Sequence, residues 1–365
     1  MKRLAVTLQD IAERSNLLLA VHKAAHGKHH RPAVAQFVAA LDANLNHLAH
    51  SILEGTAPQG RSHSFVINDP KRRTITAACF ADRVLHHAVL NLAEARFEAM
   101  LVPSSYACRP ARGVHQAVRA VQRNLQRFGW VVQVDVAGYF PSICHARLNA
   151  LLATRFKGGD FLALLGRVVA GGNGSDGGSD RNGTGQGNVA VAGARTGLPI
   201  GALTSQHFAN AYLDGADRFL LAHPGVRAHV RYMDDMLWFC DSRADAAQTL
   251  AELTAFLWEQ RGLRLKASAH VGPCSAGVRY CGFRVRPGVV LASSRKLSRY
   301  RQHTRAIHAA SKAGQFDGAT IQRASDAAHA ALAHTQSLGF RQRWWAGFGV
   351  GGEASLASPL IACEV

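Results

Sequence analysis

Two β-type segments that carry aspartate constrain this chain more than any other feature. Residues Trp130–Asp135 form a β-run that ends in a carboxylate, and residues 230–239 have apolar arms on both sides of Asp234 and Asp235, the pattern of a β-hairpin. Carboxylates at the end of one strand and at the tip of an adjacent hairpin can converge. The alternative is that Asp234 and Asp235 only form a turn, since Asp is common in turns.

The apolar arms predict that the hairpin is buried, and a buried carboxylate without a counter-charge is costly. Phosphoryl transfer uses two Mg²⁺ ions roughly 3.5–4 Å apart, held by hard oxygen ligands, to neutralise the attacking and leaving oxygens. The sequence therefore predicts that Asp135, Asp234 and Asp235 hold two Mg²⁺ ions, with Mn²⁺ as a possible substitute.

The order of the predicted elements indicates an α+β fold rather than alternating α/β. Residues 1–60 have helical periodicity, and further helices are predicted over residues 81–100, 115–128, 205–220, 244–261 and much of 294–345. A short strand pair is predicted on either side of residues 69–73, and a second hairpin over residues 278–285 and 289–292. Residues 171–195 are so rich in glycine that they predict a flexible loop.

The formal net charge of +18 favours a polyanionic partner, because each neutralised phosphate releases counterions. A ribosome-like or membrane-surface protein is the alternative. The seven cysteines include no CxxC pair, which predicts reduced thiols in a cytoplasmic protein. No long charge-free apolar run and no signal-peptide pattern occur, so no membrane association is expected.

Several motifs together resemble the conserved blocks of reverse transcriptases. Tyr232-Met-Asp-Asp235 between apolar arms is similar to the fifth block, and Val134-Asp-Val-Ala-Gly-Tyr-Phe140-Pro-Ser-Ile143 is similar to the third. The resemblance implies a right-hand polymerase with fingers and N-terminal helices over residues 1–130, a palm over 131–285, a helical thumb over 286–345 and a tail over 346–365. It also implies an RNA-directed DNA polymerase that binds template RNA, a cDNA or primer strand and dNTPs.

The resemblance assigns expected roles to individual residues. Phe140 would close the nucleotide pocket against a 2′-hydroxyl; a core aromatic is the alternative. Metal binding is expected at Asp135, Val136, Asp234 and Asp235; dNTP binding at Lys71, Arg73, Phe140, Ile200, Gly201 and Gln206; nucleic-acid binding at Arg109, Tyr232, Met233, Cys281, Gly282, Arg295, Lys296 and Arg299. The basic run around Lys71 could instead be a solvated turn.

The segment Gly197-Leu-Pro-Ile200-Gly201-Ala-Leu-Thr-Ser205-Gln206 separates this chain from most relatives. The fourth block usually reads Gln-Gly, three residues, then Ser-Pro. The variant resembles the reverse transcriptases of diversity-generating retroelements. That family implies error-prone copying opposite template adenines, because Ile200 cannot make the hydrogen bond of the usual glutamine. It also implies a small, basic, oligomeric accessory protein as a partner.

Two departures leave alternatives open. Ala202 stands where many relatives carry asparagine, and the block after the hairpin lacks its usual lysine, so Lys266 or His270 is a possible proton donor to pyrophosphate. Another bacterial reverse transcriptase, such as a retron, group II-like or phage-defence enzyme, is the second interpretation. The rest of the chain offers no segment to assign to a maturase or endonuclease, which disfavours a group II intron protein. A catalytically silent RNA-binding relative is the third.

Overall fold

A computed structural model describes residues 2–60, 62–68, 72–171 and 195–347, apart from the side chain of Arg73. Lys71, most of the glycine-rich segment predicted as a flexible loop, and most of the predicted tail lie outside the described residues. In the described part of the chain, no helix has both the length and the apolar character needed to span a bilayer.

Helices and strands alternate irregularly along the chain, which confirms the predicted α+β class. The helices are α1 Leu8–Ala12, α2 Arg14–Ala25, α3 Pro32–Ala39, α4 Leu41–Leu53, α5 Phe80–Met100, α6 Val114–Arg127, α7 Tyr139–Ser142, α8 His145–Ala153, α9 Gly159–Ala170, α10 Leu203–Ala222, α11 Arg243–Phe256, α12 Ser294–Lys312, α13 Gly318–Ala330 and α14 Leu338–Ala346. The strands are β1 Leu4–Ala5, β2 Ser62–Ile67, β3 Arg73–Ala78, β4 Trp130–Asp135, β5 Phe156–Lys157, β6 Ala228–Tyr232, β7 Asp235–Cys240, β8 His270–Pro273, β9 Val278–Tyr280, β10 Phe283–Arg286 and β11 Val289–Ala292.

The described residues form two compact units, residues 2–113 with 130–272 and residues 114–129 with 273–347. Helix α6 therefore belongs with the C-terminal part of the chain, a grouping that local sequence patterns do not indicate. The division into fingers, palm, thumb and tail stays a prediction.

The first unit is built around a four-stranded sheet of order β6-β7-β4-β8. Strand β7 is antiparallel to both β4 and β6. Its residues Met236 to Cys240 are fully buried, because helices cover the sheet where the strand passes. One anchor of that cover is the indole of Trp238, which donates to Thr249 Oγ1 of α11 at 2.8 Å.

The N-terminal helices of the first unit pack on α5, as their apolar periodicity predicts. The buried Asn16 side chain donates to the carbonyls of Ile11 and Ala88, at 3.0 and 3.2 Å, and so joins α1 to α5. Strands β2 and β3 form the expected antiparallel hairpin. The Thr76 amide of β3 donates to the carbonyl of Ile200 at 2.9 Å, which ties the hairpin to the loop before α10.

The second unit contains the antiparallel sheet β11-β10-β9, with α6 packed on it, and the helices α12 to α14. The expected hairpin with residues 289–292 is present, and its first arm, residues 278–285, is divided into two strands by a tight turn. Cys281 and Gly282 occupy that turn with φ of +48° and +77°. A left-handed backbone cannot continue a strand, so the chain reverses there.

Candidate active site

The strand register brings the three predicted aspartates to one end of the main sheet. Asp135, the last residue of β4, lies directly opposite Asp235, the first residue of β7. Tyr232 of β6 is the other cross-strand partner of Asp235. Directly opposed residues share a face of the sheet, so Asp135, Asp235 and Tyr232 project to the same side.

Asp234 reaches the same place because it belongs to the tight turn between β6 and β7. Met233 and Asp234 form this two-residue turn, and Met233 has a φ of +56°. A positive φ is uncommon for a residue with a side chain and marks a conformation that its surroundings must hold. The side chains of Asp234 and Asp135 interact, and in addition to burial this interaction raises the pKa of Asp234.

Burial and mutual repulsion make these carboxylates reluctant to ionise. Burial, and next the charge of Asp135, raises the pKa of Asp234 to about 6. Burial raises the pKa of Asp235 to about 7, although Gln133 Nε2 opposes the shift by donating to Asp235 Oδ1 at 3.1 Å. Gln133 precedes Asp135 by two residues, so the alternation of β4 places both on one face. The site is short of positive charge.

Lys266 supplies one positive charge, in an ion pair between its ammonium and Asp135 Oδ2. The backbone holds Lys266 there: its amide donates to the Asp135 carbonyl at 2.8 Å, and the Ala137 amide donates to the Arg264 carbonyl at 2.8 Å. Residues 264–266 thus run beside the end of β4. The role of Lys266 as a proton donor stays a prediction, and the geometry places its ammonium on a carboxylate.

The donor chemistry fits a divalent cation. Asp135 Oδ1 is buried without a hydrogen-bond partner, and the neighbouring carboxylates have raised pKa values, both of which a hard cation would relieve. Across the residues that the structure describes, no group of three or more His, Cys, Asp or Glu side chains is arranged as a set of metal ligands. Asp135, Asp234 and Asp235 would hold the ions, with Lys266 displaced from Asp135. Binding at Val136 stays a prediction.

Phe140 and Ile200 lie on two segments that the structure joins. The Leu198 amide donates to the Phe140 carbonyl at 2.9 Å, so the loop before α10 runs beside α7. Leu198 precedes Ile200 by two residues. The ring of Phe140 is partly buried and meets that of Tyr139 edge-on, with centroids 5.7 Å apart. The two segments that carry these predicted nucleotide-binding residues are therefore joined through their backbones.

Gly201 allows the loop before α10 to lie against the β2–β3 hairpin. It has a φ of +119°, and a Cβ atom there would come within 3.0 Å of Ile75 Cγ2 and 3.1 Å of the Thr76 carbonyl oxygen. Glycine is needed both for the backbone angle and for the close approach. On α10, Gln206 Oε1 accepts from the thiol of Cys108 at 3.2 Å.

The side chain of Arg109 is buried and makes its hydrogen bonds within the protein. Its guanidinium pairs with Glu98, with Nη2 to Oε1 at 2.6 Å, and Nη1 donates to the carbonyls of Val102 and Ser105. Only 5% of the side chain is exposed. The predicted contact with nucleic acid gains no support from this geometry and stays a prediction.

The remaining predicted nucleic-acid residues lie in the second unit. Cys281 and Gly282 form the β9–β10 turn, and the Lys296 ammonium lies 3.7 Å from the centroid of the Phe283 ring. Lys296 and Arg299 line a cavity of about 620 Å³ between α12 and α13. Arg295 is exposed on the first turn of α12.

Comparison with known proteins identifies the family. Residues 67–285 match the family model described as reverse transcriptase (RNA-dependent DNA polymerase). The chain belongs to the reverse transcriptase family. The matched region contains all the predicted metal and dNTP residues, and Arg295, Lys296 and Arg299 of the predicted thumb lie beyond it.

The individual relatives that match this chain are distant and longer. The chain is 25% identical over 198 residues to Protein YkfC of Escherichia coli, which covers 52% of this chain and 47% of that protein. It is 25% identical over 177 residues to the group II intron-encoded protein LtrA of Lactococcus lactis, covering 48% and 28%. The chain thus spans less than half the length of these curated relatives. Apo telomerase from Candida Tropicalis, truncated from its C-terminal domain, is similar with a TM-score of 0.45 and 13% identity, covering 65% of this chain and 56% of that one.

Sequence patterns for reverse transcriptases did not reveal the buried polar residues behind the Tyr232–Asp235 turn. Arg231, Asp217 and Asn210 are all buried, and Arg231 Nη1 donates to the Met233 carbonyl at 2.9 Å. A charged residue inside a strand of otherwise buried residues was the available signal, because charge is rarely buried without a partner. The partner itself, on α10, is not readable from local sequence.

Proposed function

We propose that this chain is an RNA-directed DNA polymerase that transfers nucleotides by two-metal chemistry. The observation that supports it most is the convergence of Asp135, Asp234 and Asp235 at one sheet end, with raised pKa values for Asp234 and Asp235. When bound, two divalent ions would polarise the α-phosphate and stabilise the attacking and leaving oxygens. The chain's own residues would hold the ions, orient the primer end and exclude water.

Metal-dependent incorporation of dNTPs tests this proposal. On an RNA template with a DNA primer, the protein should extend the primer with Mg²⁺ or Mn²⁺ and not with EDTA. Asp234→Asn and Asp235→Asn keep the side-chain shape, and each should lower kcat by about a hundredfold or more, because several kcal/mol of charge stabilisation are lost.

Asp241→Asn is the matched control, since Asp241 immediately follows β7 at the end opposite the site and makes an exposed ion pair with Arg227. Its activity should equal that of the parent. A parent chain that never extends a primer, with RNA or DNA templates and either metal, would favour a silent RNA-binding relative.

Phe140 is proposed to select deoxynucleotides. Phe140 follows Asp135 by five residues, and its carbonyl accepts from Leu198 of the loop that carries Ile200. Phe140→Ala should lower the preference for dNTP over rNTP by about tenfold to a hundredfold, measured as the ratio of kcat/KM values. Unchanged discrimination in an active variant would leave Phe140 as a core aromatic.

We propose further that the enzyme misincorporates nucleotides frequently opposite template adenines, as in a diversity-generating retroelement. The support is the segment from Gly197 to Gln206 and the apolar Ile200 side chain, which offers no hydrogen bond for checking the base pair. Sequencing cDNA made on an adenine-containing RNA should reveal misincorporation concentrated at adenines. Ile200→Gln should reduce it, whereas Val66→Gln on the exposed β2–β3 hairpin should not.

A group II intron-type polymerase is the second candidate. The similarity to a group II intron-encoded protein favours it, so the absence of an assignable maturase segment does not exclude it. Accurate copying of adenines, together with high affinity for a structured intron RNA, would support this candidate. An accessory protein that raises cDNA yield would instead support the retroelement proposal, for which the expected partner is small, basic and oligomeric.

Template RNA binding has additional support in a patch of cations on the first unit. Lys23 of α2, Lys28 of the α2–α3 turn and Arg83 of α5 lie around His87. Arg31, which ends the same turn, lies near Arg83. Burial, and next the charges of Lys23, Lys28 and Arg83, lowers the pKa of His87. Residues 14–31 contain no Asp or Glu, so this patch attracts polyanions such as an RNA backbone.

A further inference from the structure

Arg231, one residue before the Tyr232–Asp235 motif, is fully buried and charged. Its guanidinium meets the Asp217 carboxylate of α10 side-on: Nε donates to Oδ1 at 2.7 Å and Oδ2 at 3.0 Å, and Nη2 donates to Oδ2 at 2.7 Å. Both side chains have no exposed surface. This forked geometry is one that arginine can make and lysine cannot.

The other side of the same guanidinium holds the turn that carries Asp234. Nη1 donates to the Met233 carbonyl at 2.9 Å and to Asn210 Oδ1 at 3.0 Å, and Nη2 donates to the Asn210 carbonyl at 3.2 Å. Met233 is the residue with the left-handed backbone. A conformation of this kind persists only where surrounding contacts hold it, and this contact comes from a rigid, fully buried group.

The backbone of Arg231 is fixed as well. Its amide donates to the Ser104 carbonyl at 2.9 Å, and its own carbonyl accepts from the Tyr106 amide at 2.9 Å. Asn210 Nδ2 donates to the Ala107 carbonyl at 2.8 Å. Arg231 therefore joins strand β6 to helix α10 and to the segment before α6. It cannot shift without breaking several hydrogen bonds.

A buried ion pair is a poor source of stability, because apolar residues of similar volume often replace it at no cost. Packing alone would therefore not require Arg231. Its distinctive capability is to join α10 to the Met233 carbonyl while remaining fully hydrogen-bonded. A carbonyl held in this way fixes the position of the next residue, Asp234.

We propose that Arg231 is a positioning residue that, anchored by Asp217 and Asn210, sets the turn on which Asp234 meets Asp135. The proposal rests on the proposed function of that site. Displacing reacting groups by about 1 Å can cost about a hundredfold in rate, so a loosened turn should show mainly in kcat.

The double variant Arg231→Met/Asp217→Val separates positioning from stability. It removes both charges together, so no unpaired ion is left in the core, and it removes the donor to Met233. We expect an unfolding midpoint within about 5 °C of the parent, a kcat lowered by about tenfold to a hundredfold, and a dNTP KM changed by less than about threefold.

Binding of Mn²⁺ alone, followed by electron paramagnetic resonance, provides a readout that does not depend on polymerisation. The double variant should bind Mn²⁺ more weakly than the parent, because Asp234 no longer has one position relative to Asp135. A parent that binds Mn²⁺ but does not polymerise would refute the proposed function while leaving this comparison valid.

Ser104→Ala is the control inside the same network but away from the turn. It removes only the contact of Ser104 Oγ with His229 Nδ1, 2.9 Å apart, and should leave kcat and Mn²⁺ affinity unchanged. Arg231→Lys, which can reach Asp217 or Met233 but not both, should fall between parent and double variant.

A folded double variant with the kcat and Mn²⁺ affinity of the parent would overturn the proposal. If the double variant does not fold, Arg231→Lys decides: folded protein with lowered kcat supports positioning, and parental kcat overturns it. Failure of both variants to fold would also overturn it, since Arg231 would then serve stability.

Discussion

The buried histidine of α5 provides a stability test that is independent of catalysis. His86 is almost fully buried, its Nδ1 has no hydrogen-bond partner, and burial, with a smaller contribution from His87, lowers its pKa to about 4. An unfolded histidine titrates near pH 6.5. Between these two values the unfolded chain binds a proton that the folded chain refuses, so stability is lost as the pH falls from about 6.5 towards 4.

The size of the effect follows from the two pKa values. As the pH falls from 7 to 5, His86 should lower the free energy of unfolding by about 2 kcal/mol. Above pH 7 it should have almost no effect. The raised pKa values of Asp234 and Asp235 act in the opposite direction, because folded carboxylates that take up protons gain stability as the pH falls. The pH dependence of the parent alone therefore does not isolate the contribution of His86, whereas the difference between the parent and a His86 variant does.

His86→Leu removes the titrating group while keeping roughly the side-chain volume. Urea unfolding at pH 7 and pH 5 should give a variant that loses about 2 kcal/mol less than the parent over this interval. His47→Leu, at an exposed position on α4, controls for the substitution itself. Parallel pH dependences of the parent and His86→Leu would refute the reasoning.

Three further outcomes are expected. Gly201→Ala should lower the free energy of unfolding in urea by about 1–3 kcal/mol. The loss should exceed that of Gly314→Ala, where the φ of +64° is also positive but the space is open. Equal losses would contradict the close approach of Gly201 to β3. Asp217→Ala leaves a buried guanidinium unpaired and should lower the thermal midpoint by about 10 °C or more, and a shift below about 3 °C would contradict this. Lys28→Glu with Arg31→Glu should weaken RNA binding and reduce the slope of log affinity against log salt by about 1–2; an unchanged slope would place RNA elsewhere.

The local elements of the site were predictable from short-range patterns. The apolar run Trp130–Asp135 is a strand with the predicted bounds, and the arms around Asp234 and Asp235 form the predicted hairpin. Both follow from neighbours along the chain, because alternation and turn preference are local properties. The three aspartates could be selected as candidates for the same reason.

The pairing of distant segments was not predictable. The register that sets Asp135 opposite Asp235 joins strands a hundred residues apart in sequence, and a slip of one residue would turn one carboxylate to the other face. The positive φ of Cys281, which divides residues 278–285 into two strands, has no signal in local composition, because this angle is uncommon for a residue with a side chain.

The tertiary structure also decided what each charged residue does. In the sequence, Arg109 and Arg231 are both basic residues next to motifs that resemble those of reverse transcriptases. In the structure both side chains are buried in ion pairs, Arg109 with Glu98 and Arg231 with Asp217. A side chain's charge is fixed by its chemistry, but its partner is chosen by folding. The sequence therefore identified the aspartates that we propose for the chemistry, and only the fold identified the arginine that we propose positions their turn.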